Sequence, residues 1–120
     1  MMKVLVVDDH KVNRMLPRAI LSKLGIEVLE ADSGEAALEC LARTPEVDHV
    51  LLDVSMPGMT GIEVCQRLRE EERTRGLHII AYTAHAFASE KNQIMEAGFD
   101  DLLIKPINRE GLLQALGMAQ

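Results

Sequence analysis

Three carboxylates, a hydroxyl and an ammonium group stand at the ends of short apolar runs in this 120-residue chain. Asp53 follows Val50-Leu51-Leu52 and opens the loop Val54-Ser55-Met56-Pro57-Gly58-Met59. Asp8 and Asp9 follow Lys3-Val4-Leu5-Val6-Val7, Thr83 follows His78 to Tyr82, and Lys105 follows Leu102-Leu103-Ile104. Each has an ordinary reading alone: a carboxylate that ends a strand, an Asp-Asp turn, a strand-end hydroxyl, a surface cation. Their joint appearance after four different runs describes a site. Carboxylates that converge repel one another, so such a pocket calls for a cation. An all-oxygen donor set suits Mg2+, with Mn2+ as a substitute. A carboxylate is also a nucleophile toward phosphorus and forms an aspartyl phosphate. Phosphoryl transfer then needs charge neutralisation and in-line positioning. The Lys105 ammonium, the Thr83 hydroxyl and loop N–H groups are suited to that task.

The runs must be strands for this site to exist. Lys3–Val7 is apolar and β-branched, as a strand buried on both faces should be. Val12, Leu16, Ile20 and Leu24 recur every four residues and predict a helix with one apolar stripe, stopped by Gly25. Pro17 inside it removes a hydrogen bond and costs about 3 kcal/mol away from the first turn, so it is expected near that turn or at a kink. Residues 26–31 form a more polar strand, suited to a sheet edge. Asp32-Ser33-Gly34-Glu35 caps a helix to about Arg43, broken at Thr44-Pro45. A third strand covers residues 47–53, and Thr60-Gly61-Ile62-Glu63 is a capping box that opens a helix to about Glu72. A fourth strand spans residues 78–82, a helix 87–97 with no clear cap, a fifth strand 102–104, and a last helix runs from Asn108 to about Met118. Strict alternation predicts an α/β fold, a doubly wound (βα)5 with a five-stranded parallel sheet and right-handed crossovers. In the flavodoxin-like strand order 2-1-3-4-5 the first and third strands meet at the switch point, which brings Asp8, Asp9 and Asp53 together.

Residues 1–120 read as a single domain, with 48% hydrophobic residues and a net charge of -6. Tyr82, Phe87 and Phe99 are the only aromatics, so aliphatic packing must fill the core. No basic face is present for a nucleic-acid backbone, and direct contact with nucleic acid is not expected. Cys40 and Cys65 lie on separate helices and read as small buried hydrophobes in a reducing compartment. No signal peptide or membrane-length apolar run is seen, so the segment is expected to be soluble and cytoplasmic. His10, His49, His78 and His85 read as solvated or capping residues, with His85 alone close enough to Thr83 to affect water access.

The chain resembles the receiver domains of two-component response regulators over essentially its whole length. The matching motifs are Val6-Val7-Asp8-Asp9, Leu52-Asp53 through Gly61, Tyr82-Thr83-Ala84, and Gly98-Phe99-Asp100-Asp101 leading to Lys105-Pro106. The resemblance implies that Asp53 accepts phosphate from a phosphohistidine. It implies Mg2+ on Asp9, Asp53 and the Ser55 carbonyl, with Asp8 acting through water. It assigns Thr83, Lys105 and Ala84 to the phosphoryl group and implies a cis peptide at Lys105-Pro106. Val12-Asn13-Arg14 and Thr83-Ala84-His85-Ala86 look most like receivers of hybrid sensor kinases, which exchange phosphate with histidine-phosphotransfer domains. A histidine kinase or such a domain is the expected partner, docked on an exposed side of the first helix with Asn13, Arg14, Pro17 and Arg18. A downstream effector protein is a further expected partner, and the chain is read as a signalling domain rather than an enzyme. Whether it stands alone or is part of a larger regulator is left open.

One position departs from the pattern. The family usually has Tyr or Phe three residues before the strand-five lysine, and here it is Leu102. Leucine has no ring to reorient, so coupling from the site to the surface of the last two helices is expected to be weak. Tyr82 alternates to the opposite face from Thr83 and is a poor substitute. The alternative reading is a Mg2+-dependent phosphatase with an Asp nucleophile, which would want Asp-x-Asp after the first strand.

Overall fold

The computed structural model describes residues 2–84 and 88–118. Five strands, β1 (Lys3–Val7), β2 (Glu27–Ala31), β3 (His49–Asp53), β4 (His78–Thr83) and β5 (Asp101–Ile104), form one parallel sheet in the order β2-β1-β3-β4-β5. The helices between them are α1 (Lys11–Lys23), α2 (Gly34–Arg43), α3 (Gly61–Glu70), α4 (Ala88–Glu96) and α5 (Arg109–Ala115). The expected alternation and strand order are both present.

The strands read as continuous apolar runs because both faces of the sheet are covered. Side chains alternate between the faces, so Leu5, Val7, Val50, Leu52, Ile79 and Ala81 pack with α2, α3 and α4. Val4, Val6, Leu51, Ile80 and Tyr82 point the other way and pack with Leu21 of α1 and with Leu112, Ala115 and Leu116 at α5. β2 is an edge strand with mostly half-buried residues, as its polar composition predicts. Leu102 is half-buried against the α2–α4 side of the core.

Local chemistry sets the helix ends. Ser33 Oγ accepts from the Ala36 N–H at 3.0 Å, and Asn108 Oδ1 accepts from the Gly111 N–H at 2.7 Å. The capping box at Thr60 is complete: Thr60 Oγ1 accepts from the Glu63 N–H at 3.2 Å, and Glu63 Oε1 accepts from the Thr60 N–H at 3.1 Å. α5 stops at Ala115 rather than Met118, because Gly117 turns the chain with a left-handed φ of +77°. The expected uncapped start of the fourth helix, at Phe87, lies outside the described residues.

Helix α1 differs from expectation. Its period-four stripe does not face the core as a unit: Val12 is 69% exposed and Leu16 46%, while Ile20 and Leu24 are half-buried. The inward face is instead Arg14, Pro17 and Leu21, with Pro17 and Leu21 buried. Pro17 lies beyond the first turn, and neither it nor Arg14 is on the exposed side. The Arg14 guanidinium is held by Glu30 Oε1 at 2.8 Å and the Asp8 carbonyl at 2.7 Å. Only Arg18 of the expected basic pair is exposed, and it too pairs with Glu30. These two arginines hold the Glu30 carboxyl below its usual range, the Arg14 hydrogen bond foremost.

At the opposite end of the sheet, two histidines expected to be solvated are tied down. His49 Nδ1 is 2.7 Å from Asp48 Oδ1, and His78 Nε2 is 2.8 Å from the Ala115 carbonyl, with the two rings 5.1 Å apart. Both cysteines are free thiols. Cys65 is buried with Sγ 3.5 Å from the Ala97 carbonyl, and burial pushes its thiol up to about 11. Such a thiol is inert at neutral pH, as expected of a packing residue.

Candidate functional site

The C-terminal ends of β1, β3, β4 and β5 lie side by side, and Asp8, Asp53, Thr83 and Lys105 stand there. Asp8 is fully buried, and Asp53 is only 4% exposed. Lys105 crosses from the end of β5 to both, with Nζ 2.9 Å from Asp8 Oδ2 and 3.5 Å from Asp53 Oδ1. Thr83 ends β4 and is buried, and its carbonyl accepts the Lys105 N–H at 2.8 Å. Ala84, next in the chain, is exposed. The Lys105–Pro106 bond is cis. His85 and Ala86 lie outside the described residues.

The loop after β3 is built around Asp53. The Ser55 N–H donates to Asp53 Oδ1 at 3.3 Å, and the Val54 N–H donates to the Tyr82 carbonyl at 3.2 Å. Met56 is buried beneath the loop and anchors it. Gly61, which opens α3, packs directly on the strand end. A Cβ there would drive into the Asp53 carbonyl oxygen and come within 2.8 Å of the Val54 Cα. These neighbours are backbone and cannot yield cheaply. Gly61→Ala should therefore destabilise the protein by about 1–3 kcal/mol, as overpacking does. Urea unfolding checks this, and an unchanged midpoint would show that the loop gives way.

The electrostatics follow from burial. Asp53 has its carboxyl pushed up to about 6, chiefly because burial disfavours the charge and then because Asp8 repels it. Lys105 and the Ser55 N–H pull in the other direction without cancelling this. Burial pulls the Lys105 ammonium down, but the Asp8 hydrogen bond and the Asp53 charge outweigh it, and its pKa is raised. Lys105 is thus a fixed positive charge between two acids.

Asp9 follows Asp8 beyond the end of β1. Its Oδ1 is buried and makes no hydrogen bond, the His10 ring beside it being a partner only when protonated. Asp8, Asp9 and His10 can offer ligand atoms within 4.8 Å of one another. His10 Nδ1 is 3.3 Å from Asp9 Oδ1, on a side chain that is 68% exposed. Buried oxygen donors with one left unpaired fit a hard divalent cation such as Mg2+. A cavity of about 230 Å3 lies elsewhere, at the N-terminal ends of β3 and β4, and includes none of these residues.

Two residues of the surroundings are not among the expected site residues. Arg14 was read as a surface group, yet it grips the Asp8 carbonyl. Tyr82 was read as facing away from the site, and its face is indeed that of α1 and α5, but its ring lies 4.7 Å from Lys105 Nζ. Pro17 was the available signal: a carbonyl without its helical donor needs another.

The family model of the response regulator receiver domain matches residues 4–117. Over 117 residues the chain is 41% identical to the sensor histidine kinase GacS of Pseudomonas protegens, covering 95% of this chain and 13% of that protein. It is 45% identical over 124 residues to the virulence sensor protein BvgS of Bordetella pertussis, covering 98% of this chain and 10% of that protein. The chain thus spans about a tenth of the length of these curated relatives. Among solved structures, the chemotaxis protein CheY4 of Vibrio cholerae superposes with a TM-score of 0.91 at 32% identity, covering 100% of this chain and 99% of that one. The receiver domain of a sensor histidine kinase from Pseudomonas aeruginosa gives 0.87 at 31% identity, covering 96% and 93%, and holds a magnesium ion in its active-site cleft.

Proposed function

The chain belongs to the response regulator receiver domain family, and from that premise we propose that Asp53 takes a phosphoryl group from a phosphohistidine and relays it through protein docking. The observation that supports this most is the Lys105 ammonium shared between two buried carboxylates from different strands. An Asp53 carboxylate oxygen attacks phosphorus, the P–O bond forms, and the donor's P–N bond breaks with its electron pair on the leaving imidazole. Lys105 moves toward the transferred group and offsets its charge. The Thr83 hydroxyl and the Ala84 N–H would hold its remaining oxygens. Asp9, Asp53 and the Ser55 carbonyl would hold Mg2+, with Asp8 acting through water. Bound there, the ion neutralises charge on the acids and on the phosphoryl oxygens. Mn2+ should substitute.

The reading is a signalling domain whose product is its own modified state, in a cytoplasmic setting. Among the described residues no helix is long and apolar enough to cross a membrane. The partner is a histidine kinase or a histidine-phosphotransfer domain, with a downstream effector protein as a further partner. Its docking face is the outer side of α1, where Val12, Met15 and Leu16 are exposed near the site, with Arg18 beside them. Leu102, half-buried against the core, has no ring to carry a signal toward α4 and α5, which suits a relay. A phosphatase is not favoured: Asp-x-Asp is missing after β1, where the chain reads Asp8-Asp9-His10.

Acetyl phosphate with Mg2+ should add one acid-labile phosphoryl group per chain, and continuous turnover would mean a phosphatase. Chelation by EDTA should stop labelling. Asp9→Ala should raise the Mg2+ needed for half-maximal labelling by about tenfold or more, since a directly coordinating charge is lost. Labelling that ignores EDTA would refute the metal role.

A further inference from the structure

Pro17 leaves a gap in α1 that a residue of the site fills. Proline has no N–H, so the Asn13 carbonyl four residues earlier lacks its helical donor. The Tyr82 hydroxyl, 3.4 Å away, donates to that oxygen. The same ring lies beneath Lys105, with Nζ 4.7 Å from its centroid, within cation–π range. One buried side chain thus reaches from the ammonium of the site to the first turn of the helix.

Helix α1 depends on such ties. Its N-cap, His10, makes no side-chain cap, and its first turn holds no acid. Arg14, next to Asn13, makes a parallel tie to the Asp8 carbonyl. Consecutive residues of α1 are therefore tied to the Asp8 backbone and to the ring that packs against Lys105. The outer face of the same turns carries Val12 and Met15, 69% and 59% exposed.

We infer that Tyr82 is a positioning residue for transfer from a protein donor: through the Asn13 carbonyl it fixes how the Val12–Met15–Leu16 face sits relative to Lys105 and Asp53. The inference rests on the phosphotransfer reading above. A small donor reaches Asp53 without touching α1, whereas a docked phosphohistidine is aligned by it, and misalignment is costly in rate.

Tyr82→Phe keeps the ring under Lys105 and removes only the hydroxyl. The ratio of labelling rates, from a phosphorylated histidine-phosphotransfer domain that labels the wild type over acetyl phosphate, should fall about fivefold, the scale of one hydrogen bond. Amide exchange across residues 14–21 should quicken in the same variant with no phosphate present. Pro17→Ala supplies an N–H to the Asn13 carbonyl, so adding Tyr82→Phe in that background should change the ratio by less than about twofold. An unchanged ratio or unchanged exchange in Tyr82→Phe overturns the inference. So does an equal loss in both backgrounds, which would mark general damage to the core. Failure of the phosphotransfer reading is separate: wild type would then take no label from acetyl phosphate, while the exchange comparison still tests the tie.

Discussion

Asp53→Asn should cut labelling by acetyl phosphate by at least about a hundredfold, because an amide cannot replace the attacking carboxylate. The same change should make the metal-free protein more stable at neutral pH. Asparagine is nearly isosteric, and its Oδ1 still accepts the Ser55 N–H that Asp53 accepts at 3.3 Å. What disappears is a buried negative charge facing Asp8. The carboxyl is raised from 3.8 to about 6 in the folded protein, foremost by burial. A raised pKa means the folded state holds the proton more tightly than the unfolded one. That stabilisation is complete below 3.8 and is lost as pH rises through about 6. Above pH 6 the wild type therefore bears a cost, on the order of 3 kcal/mol, that the variant escapes. Urea unfolding in EDTA should show the gain at pH 7.5, shrinking between pH 6 and 4 and absent below. A variant that still labels fully would overturn the phosphoacceptor assignment. A gain that grows on acidification would overturn the electrostatic account.

The sheet was legible because its strands are short β-branched runs closed by polar residues. That pattern follows from burial on both faces and needs no tertiary information. The site was legible for a related reason: in a doubly wound fold, strand ends are the only places where Asp8, Asp53, Thr83 and Lys105 can meet. The reading of α1 failed on a physical ambiguity. An apolar stripe marks a face that wants to leave water, whether into the core or onto a partner. Val12 and Leu16 satisfy the period of a core face, yet the core takes Pro17 and Leu21. Arg14 was misplaced because its aliphatic stem packs inward while its guanidinium reaches Glu30 and the Asp8 carbonyl. Tyr82 was assigned the correct face, but its hydroxyl bond to Asn13 spans 69 residues and leaves no trace in local pattern. The end of α5 differs for a local reason: Gly117 stops the helix as Gly25 stops α1, and the apolar residues around it mask the signal.

Lys105→Ala should be as damaging to transfer as any change outside Asp53 and should weaken the fold as well. Its Nζ stands 2.9 Å from Asp8 Oδ2 and 3.5 Å from Asp53 Oδ1, and both carboxylates are buried. Without the ammonium, two acids face each other with no cation between them. Removing one partner of a buried pair typically costs about 3–5 kcal/mol. The protein has one relief, which is to protonate Asp53, whose carboxyl already lies near 6 with Lys105 present. A protonated Asp53 is no nucleophile, so ground-state protonation adds to the lost stabilisation of the phosphoryl oxygens. Labelling by acetyl phosphate should fall about a hundredfold or more. Raising pH should recover part of it, because ionising Asp53 restores the attacking form but not the missing ammonium. Stability should respond in the opposite sense: the variant is stabilised by lower pH and by added Mg2+, each of which removes the repulsion. Combining Lys105→Ala with Asp53→Asn should regain much of the lost stability, since only one carboxylate of the facing pair then stays charged. Labelling within twofold of wild type, or an unfolding midpoint insensitive to both Mg2+ and Asp53→Asn, would show that Lys105 is a bystander at the site.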